Sequence, residues 1–336
     1  MNIDAPRIGV IGAGVVGLTV ADILQKTSKA NVTVMADGFG EDTVSAVAAG
    51  IFRPGTTFRG PTKEITKKWI NDSWHYWQDI LKSSEANHAG IFSFNCYVYS
   101  TQSYQATRNR LIEDLVPYYK EMTEDELRIA GGEQKYGSCF STVKIGCDNY
   151  LPWTEKRLKR NGVRIVREKV ESFESVKKKY DLVFNCTGLG ARYLCDDENV
   201  VPIRGQIAKV KAPWLKASFY SDYADTYIIP GIDGVATLGG VRNYDSYNKK
   251  FNKHDAAAIL ERCYTLLPPL RKALVVGHRV GLRPHRDIVR VEPEILGDLK
   301  VVHCYGHGGY GVTTAPGTAL HAVSIGMDLL RTKHKL

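Results

Sequence analysis

The chain has 336 residues, 43% of them hydrophobic and 24% charged, which is ordinary globular usage and excludes a disordered, collagenous or purely coiled-coil protein. No apolar run approaches the roughly 18 residues of a membrane span. The formal charge of +9 is scattered along the chain without a nucleic-acid-binding module, so neither a membrane nor a nucleic acid is expected as partner. Seven cysteines, odd in number and lacking a C-x-x-C pair, suit a reduced intracellular protein with no disulfide framework and no metal site.

Residues 7–12 read as a short apolar strand, and 15–26 as a helix with an apolar face of Val15, Val16, Leu18, Val20, Ile23 and Leu24. Arg7 and the apolar stretch after it have the outline of a secretory signal, but Gly12, Gly14 and Gly17 have no use in one. Val32, Val34 and Ala36 alternate as a second strand ending at Asp37, which completes a βαβ unit. A Pro/Gly/Thr-rich loop is expected over 53–62 and a helix with Trp69, Trp74 and Trp77 over 65–82. Polar, aromatic-rich sequence without βαβ rhythm follows to about residue 145. A helix at 149–161, strands at 163–167 and 181–186, and the turn Thr187-Gly188-Leu189-Gly190 restore nucleotide-fold texture. Strands at 203–211, 225–229 and 235–239 suggest an antiparallel sheet, followed by a helix at 254–266. The last 40 residues hold a strand at 301–303, the glycine-rich turn 306–311 and a helix over 315–331. Two domains, each assembled from discontinuous pieces, are expected.

Gly12-x-Gly14-x-x-Gly17 follows a strand and opens a helix, and Asp37 lies 20 residues beyond Gly17. In a dinucleotide site the first glycine makes the turn, the second lets the backbone approach a pyrophosphate, and the third lets helix and strand pack closely. The helix N-terminus offers free N–H groups to the phosphates, and the acid accepts from a ribose hydroxyl. The fingerprint alone leaves NAD(P) and FAD open. Small and hydroxylated residues from Thr43 to Gly50, Asn185–Gly190 and the C-terminal glycine turn bring three backbone-rich loops toward one site. Such loops suit a cofactor held along its whole length, which favours FAD.

The sequence resembles the FAD-dependent D-amino-acid oxidases and D-aspartate oxidases. The resemblance is carried by Gly12-Ala-Gly-Val-Val-Gly17, Val47-Ala-Ala-Gly50, Tyr150-Leu-Pro-Trp153, Arg167–Phe173 and Asn185-Cys-Thr-Gly188. It continues through Arg204-Gly-Gln206, Ala212-Pro-Trp214, Tyr227-Ile-Ile-Pro-Gly231, Leu238-Gly-Gly240, Gly281-Leu-Arg-Pro284 and Tyr305–Gly311, in family order along the whole chain. It implies an α/β fold in which a Rossmann-like FAD-binding domain (1–52, 146–202 and 279–336) is interleaved with a discontinuous antiparallel-sheet substrate domain (53–145 and 203–278). Implied flavin contacts are Gly12, Ala13, Gly14, Val15, Val16, Gly17, Asp37, Thr43, Ser45, Ala49, Gly50 and Val170, with Gly308, Gly309, Tyr310, Gly311, Val312 and Thr313 at the isoalloxazine end. Arg283 matches the arginine that pairs with the substrate α-carboxylate, Tyr223 and Tyr227 the tyrosines lining the substrate side, and the Gly309 carbonyl the acceptor for the substrate amine.

The implied chemistry is hydride transfer from the substrate Cα to the flavin, giving an imino acid that hydrolyses to a 2-oxo acid and ammonia, with oxygen reduced to hydrogen peroxide. The cofactor carries the hard step, so no general base is named; His303 and His307 are the candidates, and His307 reads as structural or flavin-contacting. Arg242 matches a D-aspartate oxidase arginine that faces a side-chain carboxylate, although Tyr220 stands where those enzymes carry a second arginine, and Arg53 is a further cation near Ala48-Ala49-Gly50. A desolvated arginine calls for an anion, which leans the reading toward D-aspartate and D-glutamate; neutral D-amino acids are the alternative. The terminus His334-Lys335-Leu336 is similar to a Ser-Lys-Leu import signal, so a peroxisomal location and its import receptor are expected, with the cytoplasm as alternative.

Overall fold

The computed structural model describes residues 5–331. The βαβ unit forms as the sequence predicts, with strands Arg7–Ile11 and Asn31–Ala36 on either side of the helix Val15–Thr27. The strands run parallel, pairing Ile8 with Val32 and Ile11 with Met35. The fingerprint glycines are sterically required. Gly12 has φ +110°, and a Cβ there would lie 2.4 Å from the Cys186 carbonyl oxygen. A Cβ at Gly17 would lie 1.9 Å from the carbonyl oxygen of Gly12, so any larger residue forces the helix off the strand.

A 14-stranded sheet organises the molecule. At one end, strands Leu299–His307, Leu182–Asn185, Arg7–Ile11, Asn31–Ala36 and Arg164–Arg167 lie side by side, all parallel. Helices cover this part: Leu18 and Leu24 of the fingerprint helix share a core with Trp69, Trp74 and Trp77 of Lys63–Leu81 and with Ala315, Ala319 and Ala322 of Gly311–Arg331. At the other end the pairing is mostly antiparallel, through Val201–Lys211, Val235–Gly239, Thr226–Ile229 and Ser218–Ser221. Two ten-residue strands, Ile91–Ser100 and Tyr136–Ile145, extend it in unbroken antiparallel register. The sequence shows no regular texture there, because aromatic and polar residues alternate without a clean apolar face.

The 23-residue strand Leu274–Leu296 joins the two ends. Its first half pairs with Val201–Lys211 and its second half with Leu299–His307, the register shifting between His285 and Arg290. The expected domain border at 278/279 falls inside this strand. Periodicity alone does not reveal it, since glycines and the prolines Pro284 and Pro293 interrupt its pattern. The preceding turn also differs from expectation: the last strand runs on to His307, and the closing helix starts at Gly311, four residues before the predicted Ala315.

Candidate active site

A continuous cavity of about 930 Å³ opens beyond the carboxyl ends of Arg7–Ile11 and Asn31–Ala36 and continues to the junction with the antiparallel strands. That is where an open α/β sheet binds ligands, and the volume falls among ligand-pocket sizes of roughly 300–1,000 Å³. Gly12, Ala13, Gly14, Val15, Val16, Asp37, Thr43, Ser45, Ala49, Gly50 and Val170 line it, as does the run Gly308–Thr313. Gly17 does not; it is buried in the helix–strand contact, the packing task of the third glycine.

The phosphate end is built from backbone. The fingerprint helix has Gly14 at its N-cap, no side-chain cap and no acidic residue in its first turn. Its N–H groups therefore face the cavity with little competition, the Val15 N–H donating to Ser45 Oγ at 2.9 Å. Asp37 is exposed at the end of the second strand, its carbonyl held by Arg167 Nη1 at 2.7 Å. These donors and this acid fit the pyrophosphate and ribose of FAD. Along the middle, Ala48, Ala49 and Gly50 present small residues, and Lys144 supports them from behind by donating its amine to the Ala49 carbonyl. Burial first, then neighbouring Lys209, pulls the Lys144 amine down to about 8. Sequence reasoning missed Lys144, which reaches this loop only through sheet pairing.

The far end carries the substrate candidates. Arg283 lies opposite Ile203, two residues before the bend of the long strand. Its Nη1 donates to the Val241 carbonyl at 3.0 Å, and no carboxylate stands within ion-pair reach of it among the described residues. A Cβ at Gly205 would meet Arg283 Nη2 at 2.4 Å, so glycine at that position is what lets the guanidinium lie against the strand. Tyr227 lies beside it; burial pushes its phenol up, and Arg283 pulls in the opposite direction. Arg242 also lines the cavity, with Nε 2.7 Å from Asp225 Oδ2. Burial would lower its guanidinium, but Asp225 and Tyr310 outweigh this and raise it. Gly309 packs near Arg283, a Cβ there lying 3.5 Å from Arg283 Cδ.

Tyr223 is not brought to this group. It sits in a one-turn segment between two strands, 73% exposed, and does not line the cavity. The hairpin register decides this: Tyr220 and Tyr227 are cross-strand partners with ring centroids 5.8 Å apart, so Tyr220, rather than Tyr223, packs beside Tyr227 at the cavity. Hairpin parity is the signal that separates them, since Tyr220 and Tyr227 flank the turn that holds Tyr223. Burial pushes the Tyr220 phenol well up.

Neither candidate histidine is placed to move a proton at the substrate end. His303 is fully buried between Asn185 and Glu294, its Nε2 2.7 Å from Glu294 Oε2. Burial, then Arg290, lowers it despite that carboxylate. His307 touches the cavity wall, but its Nε2 is engaged with Thr318 Oγ1 at 2.9 Å, which ties the glycine turn to the closing helix.

The profile of the DAO family, FAD dependent oxidoreductase, matches residues 7–325. The chain is similar to the D-aspartate oxidase of Homo sapiens, 37% identical over 330 residues that cover 96% of this chain and 95% of that protein. It is also similar to the D-amino acid oxidase of Dugesia ryukyuensis, 32% identical over 334 residues that cover 96% and 98%. The fold is shared with the glycine oxidase of Bacillus cereus ATCC 14579, at a TM-score of 0.79 and 17% identity over 96% of this chain and 97% of that one. Of the two cofactors that the fingerprint left open, FAD is therefore the one bound, and the chain belongs to the DAO family of FAD-dependent oxidoreductases.

Proposed function

We propose that the chain oxidises D-amino acids to imino acids, which hydrolyse to 2-oxo acids and ammonia, with a preference for the acidic substrates D-aspartate and D-glutamate. The observation that carries this reading is Arg283, a guanidinium without an anionic partner among the described residues, beside the Gly308–Thr313 turn in the cavity whose other end bears the dinucleotide fingerprint. A guanidinium offers a fork of donors that matches a carboxylate and fixes the orientation of what it binds. FAD, when bound, would supply the hydride acceptor, with oxygen as the final oxidant reduced to hydrogen peroxide. The chain's own part is to bind and orient: Arg283 holds the α-carboxylate, Tyr227 and Tyr220 wall the substrate, and the Gly309 carbonyl accepts from the amine. Holding the reacting groups in place is worth up to about 7–11 kcal/mol, so no acid–base residue is required.

The acidic preference is supported by the charge count at the substrate end, where among the described residues the three cations Arg53, Arg242 and Arg283 face two carboxylates, Asp225 and, across the adjoining side cavity, Asp222. The pairing of Arg242 with that acid favours the second reading, neutral D-amino acids. A peroxide assay with added FAD over D- and L-alanine, aspartate and glutamate decides between them. D-aspartate and D-glutamate are expected to lead, with the L-forms inert; turnover of L-forms alone would refute the proposal. The split into a FAD-binding and a substrate domain belongs to the same proposal.

We further propose import into peroxisomes through the terminal His334-Lys335-Leu336, which lies outside the described residues. A fluorescent protein fused ahead of the chain should give punctate peroxisomal signal that becomes diffuse when the last three residues are deleted. Diffuse signal from the intact fusion would place the protein in the cytoplasm.

A further inference from the structure

Arg53 stands just beyond the Ala48–Gly50 wall, on backbone anchored on both sides. The Phe52 N–H donates to the Val143 carbonyl at 2.8 Å, and Thr142 Oγ1 donates to the Phe52 carbonyl at 2.5 Å. On the other side Pro54 disfavours a helical turn at Arg53, and Asn109 Nδ2 donates to the Pro54 carbonyl at 2.8 Å. The side chain is thereby aimed into the substrate end. Its guanidinium carbon lies 4.3 Å from the centroid of the Tyr220 ring, a cation–π contact.

What Arg53 lacks, among the described residues, is an anion in ion-pair contact. Its Nε is buried with no hydrogen-bond partner, and it enters no ion pair among the described residues. Its charge acts on Tyr220, Cys96 and Tyr119, which burial pushes up, Cys96 to about 12, so these three are neutral near pH 7; Asp222 and Asp225 border the same side cavity but form no ion pair with it. Arg242 differs, being held by Asp225 at 2.7 Å. Across the substrate end the order is Arg283, Tyr227, Tyr220, Arg53, the two tyrosines being adjacent on paired strands. A side cavity of about 110 Å³, bordered by Arg53, Tyr220, Asp222, Asp225 and Arg242, gives room beyond the rings.

We propose that Arg53, rather than Arg242, receives the side-chain carboxylate of an acidic D-amino acid whose α-carboxylate is held by Arg283. The proposal rests on the D-amino-acid oxidation reading above. It follows from charge: a guanidinium inside a cavity is costly without a paired anion, Arg242 already has one, and Arg53 has none in ion-pair reach among the described residues.

The test compares the FAD-loaded parent with Arg53→Gln and Arg53→Lys. Steady-state kinetics on D-aspartate, D-glutamate and D-alanine are combined with calorimetric titration of succinate and butyrate, a dicarboxylate and a monocarboxylate that do not react. Arg53→Gln should raise KM for the two acidic substrates roughly 30-fold or more and leave D-alanine within about threefold, and succinate should weaken in parallel while butyrate does not. Arg53→Lys, which keeps the charge and loses the fork, should recover part of the loss. Retained flavin absorbance reports the fold of each variant. If Arg53→Gln does not fold, Arg53→Lys must still weaken succinate selectively, or the proposal falls. Equal losses on all substrates, or unchanged D-aspartate kinetics, remove the role of Arg53 while leaving the oxidase reading intact. A parent that turns over no D-amino acid overturns that reading itself, and this proposal with it.

Discussion

Replacing Arg283 by Met is expected to lower kcat/KM for D-amino acids by about 10²–10³-fold, equivalent to about 3–4 kcal/mol, with FAD still bound. The size follows from the environment of the side chain. Its Nη1 uses the Val241 carbonyl, its remaining donors have no carboxylate partner among the described residues, and Gly205 leaves it space against the strand. On the proposed reading the substrate's α-carboxylate supplies that charge, and removing the fork takes away both attraction and orientation. Arg283→Lys should recover only part of the rate, because an ammonium is a point charge without the planar pair of donors. Steady-state peroxide release, with the flavin spectrum recorded on the same samples, separates this loss from a loss of cofactor. A kcat/KM within threefold of the parent, at full flavin occupancy, would end the anchoring role of Arg283.

The second large effect belongs to the other end of the cavity. Gly12→Ala should weaken FAD binding by about 10–100-fold and destabilise the protein by about 1–3 kcal/mol. Two causes act together: the backbone at Gly12 has φ +110°, and the new Cβ would meet the Cys186 carbonyl oxygen at 2.4 Å. Relief of that clash moves the turn or the adjacent strand, and with it the helix N-terminus that faces the phosphates. Because a ligand that binds only the folded chain stabilises it by RT ln(1 + [L]/Kd), thermal denaturation reads both effects at once. The parent should gain melting temperature steadily as FAD is added, whereas the variant should start lower and gain less. Identical FAD-dependent shifts in the two proteins would show that Gly12 is not shaping the phosphate end.

The two ends of the site were unequally visible. Helix N-terminus, tight turn and the acid expected at the ribose all lie between Arg7 and Asp37, so the constraints a dinucleotide imposes appear as a local spacing in the sequence. The substrate end has no such compact signature. Arg283 was identified through resemblance alone, since an arginine in a strand is more often part of a salt bridge. Tyr220 and Tyr223 are three residues apart and equally aromatic, and nothing in composition ranks them.

By itself, then, the sequence determined the βαβ unit, the α/β class and the fingerprint of Gly12, Gly14, Gly17 and Asp37, because each depends on spacings within a few tens of residues. Tertiary structure alone decided the rest. Hairpin register turned Tyr220 inward and left Tyr223 in solvent. Folding set Arg242 against Asp225, while Arg53, nearly 170 residues from Tyr220, came to rest on that ring with no ion pair among the described residues. Charge pairing and strand parity are properties of neighbours in space, and for residues this far apart the linear order carries no record of who those neighbours are.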